Sequence, residues 1–250
     1  YDALPKEFEG YRWSASAQGG GRRGVQTIGG FYQRLLGADT YERIDWRSVE
    51  DFGLAAAVNG EMYRDDEGAF SAYRDKLRIG YPEEIRYLKL AQAAAGYSQN
   101  AQYNYYRMLR RRDGVTAKLM LAEGIKNALK LYCYMENIYP VHDKWLYSFV
   151  ENNGGKELIA LINQLSYGGN RLAEDVMDPE CDPSVFTEGG FENLTAPVRA
   201  LTEDIGAYFA EELYYRSIIS DVESYLDYHT EELVNKASYC GYSNEELAEE

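Results

Sequence analysis

The chain has 250 residues, of which 45% are hydrophobic and 27% are charged, a balance typical of a globular protein with a buried core. Its formal net charge of −15 argues against a general nucleic-acid binder, because neutralising phosphates requires clustered lysines and arginines. No stretch of about 18 apolar residues is present, so the sequence predicts no membrane-spanning segment and no membrane partner.

The charge is distributed unevenly along the chain. Residues 1–150 contain 21 basic and 19 acidic side chains, whereas residues 151–250 contain 5 basic and 22 acidic ones. This acidic region favours a cationic small molecule or a basic partner. The three cysteines are far apart, and the first residues show no basic-then-apolar pattern, so we expect free thiols in the cytoplasm.

The first 70 residues predict short elements. In chain order, these are a glycine-rich loop over 19–24, a β-like run over 25–28, helical turns over 31–36 that end at Gly37, a helix over 46–58 that Asp45 caps and Asn59 ends, and a short strand over 62–63.

From residue 71 onward the apolar residues recur at helical spacing. The predicted helices cover 71–79, 82–96, 98–112, 115–138, 143–152, 155–167, 169–177, 192–217 and 221–238. Proline and paired glycines predict a helix-free link over 178–190. The predicted fold class is mainly α, a multi-helix bundle with a short irregular or β-structured N-terminal remnant.

Several common catalytic and metal-binding patterns are missing. The sequence has no phosphate-binding loop, no dinucleotide fingerprint and no hydrolase elbow. Neither His142 nor His229 has a convincing set of further metal ligands. The acidic run 65–67 suits Mg²⁺, but the glycine that follows favours a solvated turn. No metal ligand or catalytic residue is therefore predicted in this chain.

The dense basic cluster of the sequence lies at residues 107–112 and follows three tyrosines. Arginines at the end of a helix stabilise its dipole, which is the simpler interpretation. Arginine and tyrosine together also stack bases and bind phosphate. The spacing of four between Tyr103 and Arg107, and between Gln102, Tyr106 and Arg110, would allow two polar stripes to face a cleft.

Three segments share their order and spacing with a known family. They are Asp66-Glu67-Gly68-Ala69-Phe70 with Arg74, Leu77 and Tyr81-Pro82-Glu83-Glu84; Gln102-Tyr103-Asn104 with Arg107, Arg111, Asp113 and Ala117; and Tyr139-Pro140 with Lys144-Trp145. The pattern resembles the bacterial family called "domain of unknown function 4037". The resemblance covers about residues 1–150 and implies that a nucleotidyltransferase-like domain precedes this region.

The resemblance also implies what this chain lacks. Polymerase-β-type nucleotidyltransferases use a Gly-Ser turn and an Asp-x-Asp pair that holds two metal ions, and this sequence contains neither. We therefore expect this chain to be a fragment, with the catalytic module upstream of Tyr1, and to be inactive alone. Mg²⁺ with a nucleotide is expected for the full-length protein, with no cofactor in this chain.

These observations predict two regions. Residues 1–45 would be a remnant or extension of the missing nucleotidyltransferase-like domain, and residues 46–250 a helical domain with an optional subdivision near 178–190. The helical domain would recognise the substrate, with Tyr103, Arg107 and Lys144 as its substrate- or nucleotide-binding residues and Trp145 as a core anchor beneath them. The alternative is a non-catalytic, acidic helical module that binds a basic protein partner.

Overall fold

Helices form most of the chain in the computed structural model, which describes residues 7–12 and 26–246. The prediction of a mainly α fold is confirmed. The chain divides into two units, residues 1–78 and residues 79–250. Residues 178–190 lie inside the second unit, and the predicted boundary between residues 45 and 46 stays a prediction. None of the helices in the described ranges has both the length and the apolar character needed to cross a membrane.

Within its described residues, the first unit contains a β-hairpin of two two-residue strands and three short helices. Its elements are β1 (Glu7–Phe8) paired antiparallel with β2 (Tyr11–Arg12), α1 (Ile28–Leu36), a 3₁₀ turn (Tyr41–Arg43), α2 (Asp51–Val58) and α3 (Ala69–Arg78). The glycine-rich loop 19–24 and Val25 lie outside the described residues.

The ends of α1 and α2 follow the local sequence. The Thr27 side chain accepts a hydrogen bond from the Gly30 amide at 3.0 Å, and Gly37 ends α1 with a left-handed φ of 72°. Ile28 therefore begins a helix. The β-like run predicted over 25–28 is wrong at residue 28, which is helical. Asp45 caps only the turn before α2, and residues 62–63 are exposed loop and not a strand.

The core of the first unit is aromatic. Tyr32 is fully buried, and its ring stacks on Tyr73 at a centroid distance of 3.7 Å. Arg74 is buried beside them, and its guanidinium donates hydrogen bonds to the carbonyl oxygens of Val58 and Gly60 after the end of α2. Arg74 thus holds the end of α2 against α3.

The second unit contains seven helices among its described residues. They are α4 (Glu83–Tyr97), α5 (Tyr105–Arg110), α6 (Gly114–Met135), α7 (Asp143–Asn152), α8 (Lys156–Asp175), α9 (Glu188–Tyr215) and α10 (Thr230–Glu246). A π-helical segment (Ser98–Asn104) joins α4 to α5, and 3₁₀ turns cover Pro183–Phe186 and Leu226–His229. α6 packs against α4, α5, α7 and α8, while α10 packs along α4.

Several predicted helix boundaries differ from the observed ones, and the helix-free link predicted over 178–190 is wrong in part, since a 3₁₀ turn covers Pro183–Phe186 and α9 begins at Glu188. The helix predicted over 98–112 changes to π geometry over Ser98–Asn104. The predicted break at 168 is absent, since the Gly169 carbonyl accepts a hydrogen bond from the buried Tyr105 hydroxyl and α8 continues to Asp175. The helix predicted from 221 starts only at Thr230, because side chains of the π-helical segment bind residues 224–227.

Two arginines cover the C-terminal end of α6. Arg86 donates to the carbonyl oxygens of Tyr134 and Met135 at 2.9 and 2.6 Å. Arg216 donates to the Met135 carbonyl and pairs with Glu136 at 2.6 Å. The last carbonyls of a helix lack partners within it, so these two side chains stabilise the centre of the unit.

Candidate functional site

Two of the three predicted site residues are brought together. Tyr103 lies in the π-helical segment and is 46% exposed, and the Arg107 guanidinium carbon lies 5.0 Å from the centre of its ring. Both side chains face solvent, so a cation–π pair at the surface is formed. Whether the pair contacts a nucleotide stays a prediction.

Two other arginines of the cluster, Arg110 and Arg112, contact their own helical unit. Arg112 donates hydrogen bonds to the carbonyl oxygens of Val176 and Asp178, just after α8. The Arg110 guanidinium lies 4.9 Å from the centre of the Phe191 ring on α9. These side chains join α5 to α8 and α9, which is a structural role.

The prediction for Trp145 is wrong. Its side chain is 60% exposed, because α7 buries the next position, Leu146, together with Val150. The Lys144 ammonium lies 4.2 Å from the centre of the Trp145 ring, so both side chains are on the outside of α7. That Lys144 shares a cleft with Tyr103 and Arg107 stays a prediction.

The stripe of Gln102, Tyr106 and Arg110 does not face a cleft, since Gln102 and Tyr106 are buried. The Gln102 amide donates to the Ser224 carbonyl at 2.9 Å and accepts from the Leu226 amide at 3.3 Å. The Tyr106 hydroxyl bonds Thr202 on α9 at 2.9 Å. The Gln102 bonds fix the segment 217–229, called here the α9–α10 loop, onto the π-helical segment, and the Tyr106 bond joins α5 to α9.

The described residues offer no group of three or more histidine, cysteine or carboxylate side chains arranged for a metal ion. Asp65 accepts a hydrogen bond from the Ser71 amide, and Asp66 pairs with Arg64. These two carboxylates of the acidic run therefore make local contacts within residues 64–71. The His229 ring bonds the Glu223 carbonyl at 2.7 Å inside the α9–α10 loop. Binding of Mg²⁺ together with a nucleotide stays an expectation for the full-length protein.

A cavity of about 730 Å³ lies beside α10, and we call it the α10 cavity. It is lined by Tyr87 from α4, Ser220 and Tyr228 from the α9–α10 loop, and Glu231, Glu232, Asn235, Lys236, Tyr239 and Cys240 from α10. The α10 residues fall into two series with a spacing of four, so they form two adjacent stripes of one helix face.

The charged side chains of this cavity differ in their contacts. Glu232 accepts hydrogen bonds from the Ser220 amide and hydroxyl at 3.0 and 2.9 Å and pairs with Lys236 at 3.6 Å. The Lys236 ammonium also donates to the Ser217 and Ile218 carbonyls. Glu231 is exposed and has no hydrogen bond or ion pair with any described residue. One carboxylate is thus left for a ligand.

A second cavity, of about 450 Å³, lies between the end of α9 and the α9–α10 loop, and we call it the α9 cavity. Its lining residues are Glu211, Tyr214, Tyr215, Ser220, Asp221 and Val222. Ser220 lines both cavities, so the two are neighbours. We call their combined lining the tyrosine–carboxylate surface.

Tyrosine rings cover much of this surface and face solvent. Tyr215, Tyr228 and Tyr239 are 78%, 72% and 79% exposed. Exposed aromatic rings grouped beside a cavity are typical of a binding site, because burying them against a ligand removes apolar area from water. Four carboxylates and one lysine line the two cavities, so the surface is negatively charged.

The thiol of Cys240 reports the same electrostatics. Burial raises its pKa above the usual value of 9.0, and the carboxylates of Glu83 and Glu84 raise it further. Both causes disfavour a thiolate, the second because it would be one more negative charge next to the carboxylates of α4. Glu83 and Glu84 thus add negative charge near Cys240, which Lys236 partly offsets by lowering the same pKa.

Part of the chain matches a known family. Residues 46–146 match the family model described as "Domain of unknown function (DUF4037)". The DUF4037 segment contains the three quoted sequence motifs from residue 66 onward, and it includes Tyr103, Arg107 and Lys144. No curated protein and no solved structure matches the chain.

Two motifs of the DUF4037 segment meet in the core. The rings of Tyr81 and Tyr139 make an edge-to-face contact at 4.7 Å, and Tyr134 contacts Tyr81 at 5.8 Å. These motif residues therefore stabilise the second unit. Most of the tyrosine–carboxylate surface lies beyond residue 146, and only Tyr87 comes from the DUF4037 segment.

Sequence reasoning missed the residues that line the two cavities. The signals available were the net acidity of residues 151–250 and the spacing of four between Glu231, Asn235 and Tyr239. Neither signal shows that the α9–α10 loop folds back to bring Ser220 and Tyr228 beside α10.

Proposed function

We propose that this chain is the substrate-recognition region of a bacterial, cytoplasmic nucleotidyltransferase-like protein, and that the substrate it recognises is a cationic small molecule. The match of residues 46–146 to the DUF4037 model supports the resemblance to that family, and the nucleotidyltransferase-like context is what the resemblance implies. The observation that carries the substrate part is the tyrosine–carboxylate surface, whose four carboxylates outnumber its one lysine.

The chemistry of that surface suits an ammonium group. A protonated amine has three donors and no acceptor, so carboxylate, amide and phenol oxygens satisfy it while an anion is repelled. Tyrosine rings also attract cations through their electron-rich faces. Lys236 opposes a cation only weakly, because its ammonium is paired with Glu232 and turned toward two backbone carbonyls.

The nucleotide and Mg²⁺ would be bound mainly by the nucleotidyltransferase-like domain of the full-length protein. In this chain, the Tyr103–Arg107 pair supplies an aromatic face and an exposed guanidinium, which suit a base and a phosphate. Lys144 offers a further exposed ammonium for the triphosphate. The cationic acceptor and the anionic nucleotide would thus bind to surfaces of opposite charge.

The test is nucleotide transfer by the full-length protein that contains this chain. The protein is incubated with Mg²⁺, the four nucleoside triphosphates, and parallel sets of cationic, neutral and anionic acceptors that carry amines or hydroxyls. Transfer to cationic acceptors is expected. Transfer restricted to neutral or anionic acceptors, or no transfer at all, would overturn the proposal.

The alternative function is a non-catalytic module that binds a basic protein segment through the same surface. It predicts no nucleotide transfer and a thermal shift of this chain with a lysine- and arginine-rich peptide but with no small amine. Because charge pairing at a surface is screened, such binding would weaken steeply between about 50 and 200 mM salt, the range over which the Debye length falls by about half.

A further inference from the structure

We propose that the α10 and α9 cavities form one continuous site for an aliphatic polyamine, a flexible molecule with two or more protonated amines separated by methylene groups. This inference rests on the proposed function, because it specifies the chemistry of the cationic substrate.

The continuity of the site depends on Ser220. Ser220 lines both cavities, and its amide and hydroxyl donate hydrogen bonds to the Glu232 carboxylate. On either side of Ser220 lies one carboxylate that is exposed and makes no hydrogen bond or ion pair with any described residue, Glu231 in the α10 cavity and Glu211 in the α9 cavity. Two separate anionic positions call for a ligand with at least two cationic groups.

The length of the α10 cavity also exceeds that of a single ammonium group. Glu231 and Tyr239 both line it and are eight residues apart on α10, so they are separated by about 12 Å along the helix axis. Asn235 lies between them on the same stripe. A chain of methylene groups would lie along this stripe, with one amine at Glu231 and its apolar carbons against the Tyr239 ring.

The rings at the two cavities suit such an alternating ligand. Tyr228 packs edge-to-face on Tyr225 at a centroid distance of 5.4 Å, and Tyr214 packs on Tyr215 at 6.1 Å. Tyr215 and Tyr228 thus each contact a neighbouring ring and remain largely exposed to solvent. A ring face binds both a methylene group and a cation, whereas a fully polar ligand would use only the carboxylates.

The sizes of the cavities favour a small molecule over a basic protein segment. Volumes of about 730 and 450 Å³ fall within the range usual for small-molecule sites, about 300–1,000 Å³. A peptide held by charge alone would not need either cavity.

The test is isothermal titration calorimetry of this 250-residue chain at 150 mM NaCl with four probes: 1-aminobutane, 1,4-diaminobutane, spermidine and spermine. The variants are Glu231→Gln for the α10 cavity and Glu211→Gln for the α9 cavity. Glu192→Gln is the matched control, since Glu192 is another exposed carboxylate on α9 that lines neither cavity. Circular dichroism melts check that each variant folds.

We expect spermidine to bind at least ten-fold more tightly than 1-aminobutane. Glu231→Gln and Glu211→Gln should each weaken spermidine binding five-fold or more, while Glu192→Gln changes it less than two-fold. If 1-aminobutane binds as tightly as spermidine and Glu211→Gln has no effect, the polyamine inference is overturned although the proposed cationic substrate stands.

Two further outcomes would overturn the inference in other ways. Equal effects of all three variants would show general attraction to an acidic protein and no defined site. Binding of a lysine- and arginine-rich peptide without binding of any amine probe would favour the protein-interaction module, and it would count against the proposed function as well.

Discussion

The arginine cluster of α5 and the tyrosine–carboxylate surface lie in the same helical unit but use their charges differently. In the cluster, Arg112 binds carbonyl oxygens beyond α8 and Arg110 covers Phe191. At the surface, Glu211 and Glu231 have no hydrogen bond or ion pair within the described residues. The comparison shows that Arg110 and Arg112 of the dense basic run support packing, whereas two carboxylates beside the cavities have no partner among the described residues and are available to a ligand.

The two regions are nevertheless connected through Gln102. This residue precedes Tyr103 in the π-helical segment, and its amide binds the Ser224 carbonyl and the Leu226 amide of the α9–α10 loop. The same loop supplies Ser220 and Tyr228 to the cavities. The segment that contains the predicted site residue Tyr103 therefore also holds in place the α9–α10 loop, which lines the two cavities of the tyrosine–carboxylate surface.

The largest effect is expected from Gly206→Ala on α9. A Cβ atom at this position would collide with the Ser224 carbonyl oxygen, so either α9 or the α9–α10 loop must move. Overpacking of this kind should lower the free energy of unfolding by about 3 kcal/mol. Urea denaturation followed by far-UV circular dichroism measures the change.

The control for this substitution is Gly189→Ala in the first turn of the same helix. No heavy atom lies within 4 Å of a Cβ built there, so we expect a change of less than about 1 kcal/mol, in the stabilising direction because alanine favours helix. Equal changes in the free energy of unfolding for the two substitutions would show that the α9–α10 loop does not pack closely against Gly206.

A smaller loss is expected from Gln102→Ala. The change leaves the Leu226 amide and the Ser224 carbonyl without their buried partner, which should cost about 2 kcal/mol in the free energy of unfolding. Gln99→Ala, an exposed neighbour in the same segment, should cost less than about 0.5 kcal/mol. Chemical denaturation of both variants tests this difference, and similar values for the two would contradict the buried role of Gln102.

The charge of the α10 cavity is tested by the reactivity of Cys240. A cationic methanethiosulfonate should modify Cys240 at least three-fold faster than an anionic one of similar size, because nearby carboxylates attract the first and repel the second. The rates are measured by mass spectrometry in a Cys181→Ser background at low salt.

Glu231→Gln should reduce this rate ratio, and 0.5 M NaCl should bring it close to one. Cys133 is fully buried and serves as an internal control that stays unmodified in the folded protein. A faster reaction with the anionic reagent would contradict a cation-binding cavity.

The smallest change in stability is expected from Arg107→Ala. Its guanidinium lies over the exposed Tyr103 ring and makes no hydrogen bond or ion pair with a described residue, so the free energy of unfolding should change by less than about 0.5 kcal/mol and spermidine binding should be unaffected. If Arg107 contacts the nucleotide, the same variant should weaken nucleotide binding by the full-length protein. A loss of spermidine binding would place the cation site at α5. It would contradict the assignment of ligand binding to the tyrosine–carboxylate surface.

How far the sequence predicts the structure depends on the range of the contacts involved. α7 was predicted with the bounds observed, 143–152, and Gly37 was recognised as the end of α1, because caps and periodicity are local. The start of α10 at Thr230 was not predicted, since Gln102 holds Ser224 and Leu226 more than 120 positions away. Trp145 was assigned to the core when the buried position is Leu146, an error of one residue on an amphipathic helix.

The candidate site was harder to predict than the fold. The acidity of residues 151–250 indicated a cationic ligand or partner, and that expectation remains the basis of the proposed function. The cavities combine α4, α9, α10 and an irregular loop, and no local pattern specifies how such a loop folds back. The arginine cluster, in contrast, is visible in the sequence because its residues are adjacent.

The most direct test of the cation site is an amide chemical-shift titration of the ¹⁵N-labelled chain with spermidine at 150 mM NaCl. We expect the shifted resonances to come from residues 211–240 and from Tyr87, with little change at residues 103–112. Changes centred on residues 103–112, or no changes at millimolar spermidine, would contradict a polyamine site at the tyrosine–carboxylate surface.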